Sequence, residues 1–178
     1  MKRNFTYYLG NALIIVSFAS LVYLFYPFIS IYLFPPTLNN QVAAAGTFIT
    51  IPKIHAQAPV VTNVDPWKES EYKEALKKGI AQAKDSNFFF AHSSGMPWEL
   101  AKYNTIFLRL GELEKGDTII IEKDGKPQNY VVKDKKEVWP TDVSYLKDPP
   151  KDQIILQTCT PIGTSLKRLL VFAEPLKS

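Results

Sequence analysis

A cysteine, a histidine and an arginine are the residues of this chain whose types could together support covalent catalysis. The only cysteine, Cys159, lies in ILQTCTPIGTSLKRLL (155–170), and Arg168 follows it by nine positions. A thiolate is a nucleophile, an arginine can donate several N–H groups to a developing oxyanion, and a histidine can move a proton to and from reacting atoms. The alternative is that Cys159 packs as a small hydrophobe, as buried cysteines often do.

Histidine occurs only twice, as His55 and His92. His92 ends the apolar run SNFFFAH and is followed by small polar residues, so it comes from a strand end, as Cys159 does. If the last two strands form a hairpin around TPIGTSL, Cys159 and Arg168 face each other across its mouth. No Asp or Asn stands where it would orient the histidine, which argues against a papain-like triad. His55 lies in the first strand pair, and we interpret it as structural.

Short strands make up most of the elements that must position these residues. Runs of β-branched and aromatic residues predict strands in TFITIPKI, APVVT, SNFFFAHSS, DQIILQTC and KRLLVFAEP. GDTIIIEKDGKPQNYVVKDKKEVW predicts a hairpin with its turn at Asp124-Gly125. About seven or eight regularly spaced strands favour a mostly β fold, a closed or nearly closed β-barrel.

Helices are predicted only in the connections. DPWKESEYKEALKKG predicts a helix that Asp65 caps, with Pro66 in its first turn and Gly79 at its end. Its apolar face would hold Trp67, Tyr72, Ala75 and Leu76. ELAKYNTIFLRLGEL predicts a second helical segment, and PTDVSYL a short helical turn. The core contacts expected from the second segment are Ile106, Phe107 and Leu110.

The N-terminal part of the chain predicts one transmembrane helix. No Asp, Glu, Lys or Arg occurs between Arg3 and Lys53, and residues 9–34 are apolar almost throughout, where a span needs about 20 such residues. Because Lys2 and Arg3 precede the run, the positive-inside rule predicts a cytoplasmic N-terminus and an extracellular remainder. A cleaved signal peptide, cut near Ala43–Ala45, is the alternative, but the run exceeds the usual apolar region of about 7–15 residues.

These patterns divide the chain into four parts. We predict a cytoplasmic N-terminus at 1–8, a transmembrane anchor at 9–34, a linker at 35–46 and a catalytic domain at 47–178. The net charge of +4 includes two N-terminal charges, and KDKK at 133–136 is the one basic cluster, so composition gives no sign of nucleic-acid binding. A lone cysteine in an extracellular domain is either a passenger or a reactive thiol.

The ordered set of motifs resembles the sortase family. LQTCTPIGTSLKRLLVFA resembles its signature, a TLxTC-type strand followed by a loop and an arginine strand. FFFAHSS resembles the histidine strand, IPKIHAQAPVV the opening strands, EYKEALKKGIAQAK the first helix region and WPTDVSYL the segment before the cysteine strand. The resemblance covers nearly all of residues 47–175, and an N-terminal anchor is also typical of sortases.

The resemblance implies a sortase-type barrel of about eight strands and a cysteine transpeptidase reaction. Cys159 would attack a carbonyl in an LPxTG-like sorting signal, and an amine from a cell-wall precursor or a pilin lysine would resolve the thioester. By position, His92 would be the general acid and base, Arg168 the donor to the carbonyl or oxyanion, and Thr158 a contact to substrate. The implied partners are secreted proteins with a C-terminal sorting signal; no cofactor or metal is implied.

The loop TCTPIGT is more similar to those of sortase classes C, D and E than to class A. The segment between the first helix and His92 is shorter than is usual in the family, and AHSS replaces the commoner GH. We see no acidic cluster that would predict a calcium site.

Three further hypotheses compete with the transpeptidase. A thiol hydrolase would cleave sorting signals and transfer them poorly, and the sequence does not separate it from a transpeptidase. An anchored β-barrel that binds a peptide or cell-wall polymer without chemistry is disfavoured by the joint presence of His92, Cys159 and Arg168. An L,D-transpeptidase is excluded, because its histidine and cysteine lie close together in sequence, whereas here they are 67 positions apart.

Overall fold

The computed structural model describes residues 2–34, 46–93, 103, 105–147 and 152–176. The chain forms two compact units, Met1–Pro36 and Thr37–Ser178. The first contains a helix, and the second contains a barrel.

Helix α1 spans Lys2–Leu33. Its section Phe5–Tyr26 has a mean hydropathy of 1.9 and is long and apolar enough to cross a membrane. The helix includes most of the predicted N-terminal segment 1–8 and continues past Pro27. Its length and composition fit a membrane anchor. The predicted linker at 35–46 and the alternative cleavage site lie outside the described residues, apart from Gly46.

The second unit is a closed barrel of eight strands, which confirms the predicted fold class. The strands are β1 Thr47–Ile51, β2 Ala56–Val64, β3 Ile80–Ala83, β4 Phe88–Phe90, β5 Thr118–Lys123, β6 Lys126–Val138, β7 Ile154–Thr160 and β8 Lys167–Pro175. Their order around the barrel is β1-β2-β3-β4-β7-β8-β6-β5. Short helices occupy the connections: α2 Glu69–Lys78, α3 Ser144–Lys147 and two 3₁₀ helices, Pro52–Ile54 and Leu110–Glu112.

Neighbouring strands of the barrel are mostly antiparallel, with two exceptions. β2 and β3 are parallel and are joined by α2, and β4 and β7 are parallel although far apart in sequence. The predicted hairpin is present, because β5 and β6 pair from Thr118↔Val131 to Lys123↔Lys126 around the Asp124-Gly125 turn. A parallel pair brings the C-terminal ends of both strands to the same end of the barrel. The C-terminal ends of β4 and β7 therefore lie next to each other.

Isoleucine, leucine, valine and phenylalanine side chains fill the core. Ile51, Ile119, Leu156 and Val171 are fully buried, and each comes from a different strand. Phe107 and Leu110 are also fully buried, and Ile106 packs against the core, which confirms the predicted core contacts of that segment. Burial of a large apolar side chain contributes about 1.5–3 kcal/mol, so these side chains hold the barrel closed.

Two predicted helices differ from the structure. α2 begins at Glu69, because the Asp65 carboxylate accepts a 2.9 Å hydrogen bond from the Trp67 backbone N–H and forms a turn before the helix. The Trp67 side chain consequently lies outside the helix and is 68% exposed, whereas Ala75 and Leu76 are buried as predicted. Within its described part, the predicted second helical segment consists of turns and one 3₁₀ helix.

Strand β3 was not predicted, because its four residues follow the end of α2 immediately. Gly79 makes this sharp junction possible. A Cβ at position 79 would collide with the carbonyl oxygen of Pro59 on β2. The absence of a side chain therefore lets α2 end against the sheet.

We expect Gly79→Ala to destabilise the barrel by about 1–3 kcal/mol, because the backbone of β2 must shift to admit the methyl group. Thermal unfolding of the full chain in detergent measures the effect. Gly111→Ala is the matched control, since its Cβ would meet only the Leu169 side chain at an ordinary 3.6 Å. Equal losses in both variants would contradict the close approach at Gly79.

Candidate active site

Cys159 and Arg168 are direct cross-strand partners. The hairpin of β7 and β8 pairs Cys159↔Arg168 in an antiparallel register, as the sequence predicted. Directly opposed residues in such a pair have Cβ atoms about 4.5–5.5 Å apart and point to the same face of the sheet. Cys159 is a free, half-buried cysteine. The thiol and the guanidinium therefore belong to one surface.

His92 reaches the same end of the barrel through the parallel pair of β4 and β7. The register aligns Phe90↔Gln157, and the Ala91 N–H continues the ladder by donating to the Gln157 carbonyl at 3.2 Å. β4 ends at Phe90, so His92 follows the strand by two residues and does not end it as predicted. Because β4 runs parallel to β7, His92 lies at the same end of the barrel as Cys159. The His92 carbonyl accepts a 3.2 Å hydrogen bond from the backbone N–H of the fully buried Phe107, which ties this position to the core.

Thr158 joins these two strands. It is 3% exposed, and its hydroxyl donates to the Ala91 carbonyl at 3.2 Å. Since neighbouring side chains alternate across a strand, Thr158 points to the face opposite Cys159. Its predicted contact with substrate stays a prediction, and the bond to Ala91 is the contact that the structure shows.

The guanidinium of Arg168 is held from one side by its own loop. Its Nη1 donates to the carbonyls of Ser165 at 3.0 Å and Lys167 at 3.3 Å. Nε and Nη2 have no hydrogen-bond partner among the residues that the structure describes. The group is thus oriented by backbone carbonyls and still has donors to offer.

A short helix covers the surface beside these residues. The ring of Tyr145 on α3 packs 5.6 Å from the ring of Phe88, and its hydroxyl donates to Gln157 Oε1 at 2.7 Å. Asp142 fixes the start of α3 by accepting hydrogen bonds from the Ser144 hydroxyl at 2.7 Å and from its N–H at 3.3 Å. The Ser144 side-chain and backbone hydrogen bonds hold the pKa of Asp142 below its ordinary value. Asp142 is therefore ionised near neutral pH and retains this cap.

Sequence reasoning missed the pairing of Tyr145 with Gln157. The position of Gln157 could have been inferred, because it lies two residues before Cys159 and so shares its strand face. The position of Tyr145 could not be inferred, because α3 reaches the sheet only through the tertiary fold.

His55 lies on the opposite side of the barrel. It follows the first 3₁₀ helix in a left-handed conformation with φ 52°, and its N–H donates to the Pro52 carbonyl at 3.1 Å. In the order of strands, β1 and β7 are four places apart in either direction. His55 is therefore remote from Cys159.

A cavity of about 580 Å³ lies at the other end of the barrel, and none of the four predicted site residues lines it. Its lining includes Thr47, Thr62, Gln82 and Asn87, where β1 and β4 begin and where β2 and β3 approach their ends. The thiol is therefore not in this cavity. Because Cys159 alternates along β7 with the buried Leu156 and Thr158, it lies on the opposite, outer face of the sheet. Among the described residues, no group of His, Cys, Asp or Glu could hold a metal ion.

Comparison with known proteins matches the barrel to one family. Residues 49–176 match the family described as the sortase domain. The chain is similar to sortase D of Bacillus subtilis, with 29% identity over 78% of this chain and 67% of the relative. It is also similar to sortase A of Bacillus anthracis, with 26% identity over 71% of this chain and 57% of the relative.

Solved structures show the same fold. Sortase C-1 of Actinomyces oris superposes with a TM-score of 0.61 at 26% identity, covering 77% of this chain and 76% of that chain. Sortase A of Corynebacterium diphtheriae superposes with a TM-score of 0.59 at 29% identity, covering 75% and 61%. The similar proteins include classes A, C and D, so the predicted placement nearer to classes C, D and E stays a prediction.

We expect Thr158→Val to destabilise the barrel by about 1–3 kcal/mol, because it leaves the buried Ala91 carbonyl without its side-chain donor. Thermal unfolding measures the loss, and the rate of Cys159 alkylation reports whether the strand end has moved. Thr160→Val, on the same strand face but nearer the loop, is the control. Unchanged stability in Thr158→Val would show that the Ala91 bond contributes nothing.

Proposed function

Because the chain belongs to the sortase family of cysteine transpeptidases, we propose that it cleaves an LPxTG-like sorting signal through a thioester and transfers the protein to an amine. The observation that carries this proposal is the convergence at one end of the barrel. Cys159 and Arg168 are cross-strand partners, and His92 follows β4, the parallel neighbour of the cysteine strand, at the same end of the barrel. These three residue types can supply the nucleophile, the proton shuttle and the oxyanion donor of acyl transfer through a thiol.

In the proposed first step, the Cys159 thiolate attacks the carbonyl carbon at the Thr–Gly-like bond. A tetrahedral oxyanion forms, and its collapse breaks the C–N bond. His92 donates a proton to the departing amine, which leaves an acyl-enzyme thioester on Cys159. In the second step, the amine acceptor attacks the thioester, His92 takes up the proton, and the thiolate is released. The acceptor would be a cell-wall precursor or a pilin lysine.

Arg168 is proposed to donate to the substrate carbonyl and to the oxyanion. Two backbone carbonyls already hold one of its nitrogens. The guanidinium is therefore oriented before the charge develops, and donors that need no reorganisation stabilise a transition state most effectively. Lysine could supply charge but not the planar fork of donors.

The surface beside the hairpin suits an extended peptide. Trp139, Ile162 and Leu166 are each more than half exposed. Trp139 follows Val138, the β6 partner of Arg168, and the other two lie in the loop between β7 and β8. Apolar side chains grouped around a reactive thiol favour a peptide substrate over a small polar one.

The proposed location is the outer face of the cell membrane. α1 would serve as a single-pass anchor, with Lys2 and Arg3 placing its N-terminus in the cytoplasm. The barrel would then meet its partners outside the membrane: secreted proteins that carry a sorting signal, and the amine acceptor.

We expect Cys159→Ala to abolish the acyl-enzyme while the barrel remains folded. The full chain in detergent is incubated with a library of LPxTG-type peptides, and intact mass reveals the covalent adduct. Wild type should gain the mass of the acyl fragment, and Cys159→Ala should gain nothing.

The control is alkylation of the wild-type thiol by iodoacetamide, which shows that Cys159 is accessible. An alkylated protein that forms no adduct with any peptide would favour the non-catalytic barrel that binds a peptide or wall polymer. An adduct that persists in Cys159→Ala would exclude this cysteine as the nucleophile.

We expect Arg168→Ala to lower kcat by about 10²–10³, since loss of one oxyanion donor has this effect. Arg168→Lys should recover only a small part of the rate, because an ammonium cannot replace the donor fork. Steady-state kinetics with a cleavable peptide separates the effects on kcat and KM. Wild-type activity in Arg168→Lys would indicate that positive charge alone is sufficient.

A further inference from the structure

A second polar pair, Tyr145 and Gln157, lies on the same face of the sheet as Cys159. Gln157 is two residues before the cysteine, so the two side chains share a face and are separated by about 6.5 Å along the strand. Its cross-strand neighbours are the buried Phe90 on β4 and Leu170 on β8. Gln157 itself is half-buried. It is thus a polar side chain with apolar neighbours, next to the thiol.

The Tyr145 hydroxyl fixes the orientation of this amide. It donates to Gln157 Oε1 at 2.7 Å, and the Tyr145 ring is held in place by Phe88. Burial raises the pKa of the Tyr145 phenol, and the opposing influence of the Arg168 charge does not cancel this effect. The phenol therefore keeps its proton at neutral pH and acts as the donor.

With its oxygen occupied, Gln157 presents its Nε2 hydrogens on the other side of the amide. Nε2 has no hydrogen-bond partner among the described residues. An amide donor next to apolar side chains favours a ligand that brings an acceptor to it, because a polar group left unpaired against apolar surface is costly. A backbone carbonyl of an extended peptide is such an acceptor.

We propose that Gln157 is a substrate-binding residue whose Nε2 donates to a backbone carbonyl of the sorting peptide, and that Tyr145 is the positioning residue that orients it. The inference rests on the proposed peptide substrate. An extended peptide advances about 3.3 Å per residue, so Gln157 meets the carbonyl about two residues from the scissile bond. The contact recognises the peptide backbone and does not select a side chain.

Peptide binding to the full-length Cys159→Ala protein in detergent tests this assignment without the chemical step. A fluorescent LPxTG-type peptide and anisotropy give Kd. Adding Gln157→Met, which keeps the length but has no donor, should weaken binding about 3- to 10-fold. Gln157→Glu still accepts from Tyr145 but cannot donate, so it should weaken binding at least as much.

Two further variants test the role of Tyr145 and the effect of charge. Tyr145→Phe should weaken binding about 2- to 3-fold and add nothing to Gln157→Met, because both act through one contact. Gln128→Glu, an exposed position on β6, introduces the same charge elsewhere and should leave Kd unchanged. Near-UV circular dichroism confirms that each variant is folded.

Each outcome separates the inference from the proposed function. If Gln157→Met has the same Kd as its Cys159→Ala parent, the proposed role of Gln157 is overturned. If the effects of Gln157→Met and Tyr145→Phe on the binding free energy are fully additive, the proposed role of Tyr145 is overturned. A wild-type protein that binds the peptide but forms no acyl adduct overturns the proposed transpeptidase and leaves the Gln157 result valid. Failure of the Cys159→Ala protein to bind any peptide overturns both.

Discussion

The candidate site depends on the position of β7 between a parallel neighbour and an antiparallel one. The parallel partner, β4, carries the chain toward His92 in the same direction as β7 runs toward Cys159. The antiparallel partner, β8, begins where β7 ends, so Arg168 meets the cysteine across the hairpin. If either direction were reversed, one of the three residues would lie at the far end of the barrel. The short hairpin brings Arg168 to the cysteine, and the parallel direction of β4 brings His92 there from a distant part of the sequence.

The strand face that carries the site is buried at one end and partly exposed at the other. Ile155 and Leu170, on the same strand face as Cys159, are buried, so this outer face is covered over part of its length. Cys159 and Arg168, at the end of the same row, remain half-buried. A thiol at this boundary is supported by packed neighbours and can still be reached by a peptide. Backbone carbonyls orient Arg168, and the Tyr145 hydroxyl orients Gln157, so two polar side chains near the thiol are held in place by the protein itself.

Much of the fold could be predicted from local pattern, and the failures share a cause. The hairpin at Asp124-Gly125 and the last two strands depend on turn chemistry and β-branched runs, which act between near neighbours in sequence. The helix α2 begins later than predicted, because the Asp65 carboxylate accepts a hydrogen bond from the Trp67 N–H and so forms a separate turn before the helix. Residues 105–112 of the second predicted helical segment form turns and one 3₁₀ helix, with Phe107 and Leu110 buried. The spacing of these buried residues resembles that of a helix, so the sequence pattern predicted the wrong element.

The candidate site residues and one of their contacts could be predicted from the sequence alone. A single cysteine, a histidine at the end of a strand and an arginine in the next strand were evident, and a short hairpin forces Cys159 to face Arg168. Three other features became known from the three-dimensional structure: β4 runs parallel to β7, Thr158 donates to the Ala91 carbonyl, and Tyr145 donates to Gln157. The difference lies in how far apart in sequence the interacting residues are. Turn and alternation rules act over a few residues, whereas these contacts join segments brought together when the barrel closes over its core.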